Sequence, residues 1–179
     1  MSLATRRVAC VSVHKPICGN RQRTLRQAKP CGGSQSCPNC EVVMNTLPRE
    51  LISLSQWVGW KYECRDGRPT KIPINPHTGG RASSIDACTW SDYPTAIRAK
   101  YRYRLDGIGF VFSVADLLVG IDLDNCRNPD TGEIAPRARE IVRLLNSFTE
   151  ISPSGCGLHI FVKGKLPPGG NRRDGIEWW

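Results

Sequence analysis

Asp122 and Asp124 stand two residues apart at the end of an apolar run, LLVGIDLD, from Leu117 to Asp124. Side chains alternate across a strand, so the pair would share one face, about 7 Å apart along it. Carboxylates that close repel each other unless something positive lies between them. A divalent cation resolves the repulsion. Mg²⁺ and Mn²⁺ prefer oxygen ligands and leave positions open for water and phosphate. Taken alone, the pair fits equally well a strand end running into the polar turn DNCRNPDTGE, because Asp-x-Asp is a common pattern. The stretch ISPSGCGLHIF shifts that balance. Gly155 and Gly157 allow a sharp turn that brings backbone amides close to an anion, Ser154 adds a hydroxyl donor, and His159 opens the next strand. A single histidine at a strand start is more often a satisfied polar residue than a ligand. Following an Asp-x-Asp strand and a glycine turn, it reads better as a phosphate or sugar contact.

The elements that must carry these groups can be read from hydrophobic period and punctuation. Leu47–Gln56 has apolar residues at helical spacing, with Pro48 suited to a first turn. Trp57–Glu63 reads as a strand, Asp66-Gly67 as a turn, and Thr70–Pro76 as an extended run that its prolines confine to an edge or a loop. Ser91 to Tyr103 reads as a helix opened by Ser91 or Asp92. Gly107–Ser113 and LLVGIDLD form two strands around a tight turn near Ala115-Asp116. Ala135–Phe148 is an amphipathic helix with a stripe of Ile141, Val142, Leu144, Leu145 and Phe148; Arg137, Arg139 and Arg143 lie off it on a solvated face. Leu158–Gly164 is a strand, and IEWW begins another. Interleaved helices and strands without an internal repeat predict an α+β fold with a mixed or antiparallel sheet.

A chain of 179 residues, 40% hydrophobic and 23% charged, has the size and texture of one globular domain. No apolar run approaches the roughly 20 residues of a membrane span, and no signal peptide is visible, so a cytoplasmic setting without a membrane partner is expected. The nine cysteines are then expected as thiols or metal ligands. The net charge of +9 favours polyanions but is unevenly placed: residues 1–43 hold seven Lys and Arg against one acid, the remainder 18 against 15. That first segment lacks helical or strand period and reads as a basic, cysteine-containing, disordered leader, an upstream extension of the reading frame with Met44 as the natural start. Cys37-Pro-Asn-Cys40 is a zinc-knuckle spacing that Cys18 and Cys31 could complete as a structural Zn²⁺ site, though a strong zinc signature has two such pairs.

The order GIGFVF, GIDLD, amphipathic helix, TEISPSGCGLHIFVKGKLP and GIEWW resembles the primase-polymerases of phages, plasmids and other mobile elements, within the archaeo-eukaryotic primase superfamily. The upstream WVGWKYE, TKIPINPHTGGRASS and TW stretches are similar to the start of that catalytic domain, so the resemblance runs from about Gln56 to Trp179. It implies an RRM-like sheet flanked by helices over residues 44–179. Three metal-binding acids are implied, Asp122, Asp124 and Glu177 of GIEWW. Ser154 and His159 hold the nucleotide's phosphates beside the Gly155 and Gly157 amides, and Lys71 is a phosphate or template contact, or else an exposed edge lysine. The implied reaction is template-directed nucleotidyl transfer by two Mg²⁺ or Mn²⁺ ions, with single-stranded DNA template, primer and nucleoside triphosphates as partners and a helicase domain or protein as an associate. Cys156 departs from the family's often charged residue. Family members continue beyond the third acid with an Arg-containing turn and further strands, so the domain is expected to be C-terminally truncated. The readings that compete are a nucleic-acid-binding module with an incomplete, inactive site, and a metal-dependent phosphoesterase using the same acids.

Overall fold

The computed structural model describes residues 8–9, 47–113, 117–166, 172–173 and 176–179. The cysteines proposed for zinc (Cys18, Cys31, Cys37 and Cys40) and the Ala115-Asp116 turn lie outside the described residues. The fold is α+β, as its interleaved pattern predicts, with antiparallel pairing divided between two sheets.

The first sheet has the order β1 (Val8–Ala9), β4 (Gly107–Val111), β2 (Trp57–Arg65), β3 (Arg68–Ile74). β1 comes from within the segment read as a leader and pairs with β4 through Val8 opposite Val111 and Ala9 opposite Phe110. β2 and β3 form a hairpin closed at Arg65 and Arg68, and the intervening Asp66 and Gly67 both take positive φ, the twist a two-residue hairpin loop requires. β3 lies at the sheet edge, where Pro69 and Pro73 cost no interior ladder bonds.

Helix α1 (Arg49–Ile52) is shorter than the Leu47–Gln56 period suggests. Gln56 is taken by β4 instead: its carbonyl accepts from the Val111 amide, and its Nε2 donates to the Val111 carbonyl at 2.7 Å. Helix α2 (Tyr93–Arg102) begins at Asp92, which accepts from the Thr95 amide, and it buries Ala96 and Ala99. A 3-10 turn at Ala87–Thr89 precedes it.

The second sheet has the order β6 (Phe148–Ile151), β7 (Leu158–Lys163), β5 (Leu118–Leu123), β9 (Ile176–Trp178), β8 (Arg172–Arg173). Helix α3 (Pro136–Leu145) packs Ala138, Ile141, Val142 and Leu145 against Leu123, Leu158 and Ile160. It ends three residues before its expected limit because Asn146 adopts the left-handed conformation. Phe148 therefore starts β6, with its ring 5.5 Å from that of Phe161. The main core joins both sheets: Trp57, Ile108 and Phe110 of the first meet Phe161 and Trp179 of the second, with Leu51, Ala96 and Phe112 between them. Full burial of a Leu, Ile or Phe side chain in this core contributes about 1.5–3 kcal/mol. Among the described residues no helix is long and apolar enough to cross a membrane.

Candidate active site

Strand register assembles the site. In the second sheet Asp122 is the direct partner of His159 on β7 and of Glu177 on β9, and His159 is the direct partner of Glu150 on β6. Partners in an antiparallel pair point to one face. Glu150, His159, Asp122 and Glu177 therefore form a continuous row across four strands. The row is possible because β5 is two-faced. Val119, Ile121 and Leu123 look toward α3, whereas Gly120 and Asp122 look the other way. One residue-pair along, the same face carries Phe148, Phe161 and Trp179, which belong to the core. The charged row begins where the apolar packing stops.

His159 is the hinge of this row. Its Nδ1 lies 3.0 Å from Glu150 Oε1 and its Nε2 lies 3.9 Å from Asp122 Oδ1, with side-chain exposures of 9% for His159, 9% for Glu150 and 20% for Asp122. The Trp179 ring stands edge-on to the imidazole with centroids 6.5 Å apart. Burial pushes the Asp122 carboxyl above the ordinary aspartate range. The imidazole of His159 opposes that shift, Asp124 and Glu177 add to it, and Lys71 opposes it weakly. Asp122 thus senses both other acids singled out from the sequence.

Asp124 lies just past β5 and is exposed; Glu177 is buried. Among the described residues no three His, Cys, Asp or Glu side chains stand closely enough together to hold an ion as they lie. The donor set still suits a hard divalent cation: Asp122 is held above the ordinary aspartate range by burial, with Asp124 and Glu177 adding to its cost of ionisation. A cation would remove that cost.

The glycine turn is braced more than the sequence suggests. The amide of Gly155 donates to the Ser152 carbonyl, that of Cys156 to Ser154 Oγ, and that of Gly157 to Ser152 Oγ. These three amides are engaged within the loop, and Ser154 is exposed, its Oγ bonded to that of Ser152 at 2.9 Å. Gly157 is required by close approach: a Cβ there would stand 2.8 Å from the Leu123 carbonyl oxygen. Arg127, not singled out from the sequence, ties the loop to the segment after β5. Its Nη1 donates to the Gly155 carbonyl at 2.8 Å and its amide donates to the Cys156 carbonyl at 2.9 Å. Lys71 sits apart on β3, exposed, its Nζ 5.3 Å from the Trp60 ring centroid.

Glu150 is the other residue that sequence reading passed over. Its signal was an acid inside a short apolar strand, FTEI, the same anomaly that drew attention to Asp122.

No protein-family model matches the chain. Over 119 residues, 66% of its length, it is 44% identical to the DNA Primase-polymerase of Nitratiruptor phage NrS-1. The aligned stretch makes up 16% of that relative, so the chain corresponds to a minor part of it.

Proposed function

We propose, from the premise that this chain belongs to the primase-polymerase family, that residues 44–179 form a nucleotidyl-transfer domain acting on primed single-stranded DNA. The observation that carries the reading is the cross-strand row in which Asp122 lies opposite both His159 and Glu177. The acids and the histidine come from three separate strands, and only the sheet brings them together.

Asp122, Asp124 and Glu177 would hold Mg²⁺ or Mn²⁺, which supplies Lewis acidity toward a primer 3′-hydroxyl and charge neutralisation for a triphosphate. The protein's part is placement. β5 and β9 hold Asp122 and Glu177 on directly paired backbone, so side-chain rotation without backbone movement would bring the carboxylates to an ion. His159, fixed between Glu150 and Asp122, positions and stabilises the triphosphate and is not a general base. Ser154 offers a hydroxyl at the turn before β7, and the Arg127 contacts keep that turn against the end of β5. Lys71, whose charge Asp122 senses only weakly from β3, is suited to a phosphate of the nucleotide or the template.

The test is incorporation of dNTPs by the chain on a primed single-stranded template, with and without Mg²⁺ or Mn²⁺. The expected result is metal-dependent extension, abolished in Asp122→Ala. DNA binding without extension under every metal condition would favour a binding module. Release of nucleoside monophosphates without extension would favour hydrolysis by the same acids.

A further inference from the structure

We propose that Glu150 is a positioning residue for this site: it holds the His159 imidazole by Nδ1 and thereby turns the Nε2 edge toward Asp122. The inference rests on the nucleotidyl-transfer reading above and extends it to a residue that acts through the histidine. β6 is an edge strand, where a glutamate can ordinarily reach water. Glu150 instead keeps its side chain nine-tenths covered, with Oε1 3.0 Å from His159 Nδ1. An ionised carboxylate has only acceptors, so with Glu150 as the carboxylate Nδ1 would carry the hydrogen and donate. A carboxylate this covered needs such a charge-assisted bond to offset its lost hydration.

The consequence falls on the ring. Histidine has two nitrogens on opposite sides of the imidazole, and rotation about its last torsion exchanges the directions they face. Direct cross-strand pairing of Glu150 with His159 places the acceptor on the β6 side. Nδ1 is therefore drawn to β6, and Nε2 is left on the β5 side, 3.9 Å from Asp122 Oδ1. Trp179, edge-on with centroids 6.5 Å apart, bounds the ring from a third direction. A histidine held in this way meets an incoming phosphate with one defined edge and loses little conformational freedom on doing so.

The experiment uses the full chain and four variants: Glu150→Ala, Glu150→Gln, His159→Ala and the Glu150→Ala/His159→Ala double variant. Affinity for dATP in the presence of Mg²⁺ is measured by calorimetry. Glu150→Ala should weaken binding by about tenfold, the scale at which loss of a histidine's orienting carboxylate is felt. Glu150→Gln should recover most of that loss, because its amide oxygen still accepts from Nδ1. In the His159→Ala background the Glu150→Ala change should add nothing, since a residue acting through the histidine has nothing left to act on. Nitrogen NMR of the His159 ring, assigned by its absence in His159→Ala, should show a protonated, bonded Nδ1 in the parent and in Glu150→Gln, and its loss in Glu150→Ala. Additive losses in the double variant, or an unaltered ring spectrum in Glu150→Ala, overturn the proposal and leave the site reading standing. Parent-like dATP binding by His159→Ala overturns both together.

Discussion

β4 and β5 are successive strands made from nearly the same residues, GIGFV and LVGIDL, and the fold puts them to opposite uses. Every residue of β4 is buried. Ile108 and Phe110 enter the shared core on one face, Val111 meets Val58 and Trp90, and the Trp60 Nε1 donates to the Ile108 carbonyl at 2.9 Å. β5 is covered by α3 on one face only. Its other face passes in two residues from Gly120, beside Phe112 and Trp179, to Asp122 in the charged row. The difference is not apolar content, which both strands have. It lies in what covers the second face, and a strand with a partly open face can carry charge that a doubly covered strand cannot.

The buried role of β4 depends most on Phe110. Its ring meets Trp57 and Phe112 at centroid distances of 5.3 Å and Phe161 at 6.4 Å, so it links the two sheets. Phe110→Ala should cost about 3–5 kcal/mol in urea unfolding. A loss below about 1 kcal/mol, the level of an ordinary surface change, would mean that β4 is not the structural strand described.

Asp122→Asn should act with the opposite sign on stability. Metal-dependent incorporation should fall on the order of 10³-fold, several kcal/mol of barrier. Stability of the metal-free protein should not fall and should rise at neutral pH. Burial is the main cause of the raised Asp122 pKa, with Asp124 and Glu177 adding to it. A carboxyl whose folded pKa lies above its unfolded value is penalised in the fold once ionised. The penalty grows as pH rises from the ordinary aspartate range through the raised value, and it disappears below that range. The parent and the Asn variant should therefore converge in stability in acid and diverge toward neutrality. Equal curves at every pH would show that the row carries no electrostatic cost.

Most local features of both regions were legible in the sequence. The Asp66-Gly67 turn, a start of α2 at Ser91 or Asp92 and the strands β2, β4, β5 and β7 follow from period and punctuation, which act over a few residues. What failed was non-local. Leu47–Gln56 has helical spacing, but Gln56 is drawn into pairing with a residue 55 positions away. Phe148 continues a helical stripe, but the left-handed turn at Asn146 sends it into β6. The division into two sheets also depends on pairings that no short window contains. At the candidate site Asp122, Glu177 and His159 were named from motif and resemblance, and the register makes them direct neighbours. Glu150 was passed over because its meaning depends on which residue of β7 it faces, and Arg127 because it acts through carbonyls of a distant loop.

On the structural side of the molecule, Asp92 is a carboxylate whose ionised form the fold favours. Asp92 caps α2, the helix that packs on β2 and β4, by accepting from the Thr95 amide at 2.8 Å. That contact with Thr95 holds the Asp92 carboxyl below the ordinary aspartate range, the reverse of Asp122. A carboxyl with a depressed folded pKa contributes stability that is present above its unfolded value and is lost as pH falls through the folded one. Asp92→Ala should remove about 1 kcal/mol at neutral pH, the usual value of an N-cap. Asp92→Asn keeps an oxygen acceptor for the Thr95 amide and should retain most of that amount, while abolishing this residue's share of the loss in acid. Urea unfolding of both variants across the acid range checks the sign. If Asp92→Asn steepens the acid loss rather than flattening it, the capping carboxylate is not the group that titrates. The contrast with Asp122 would then rest on burial alone.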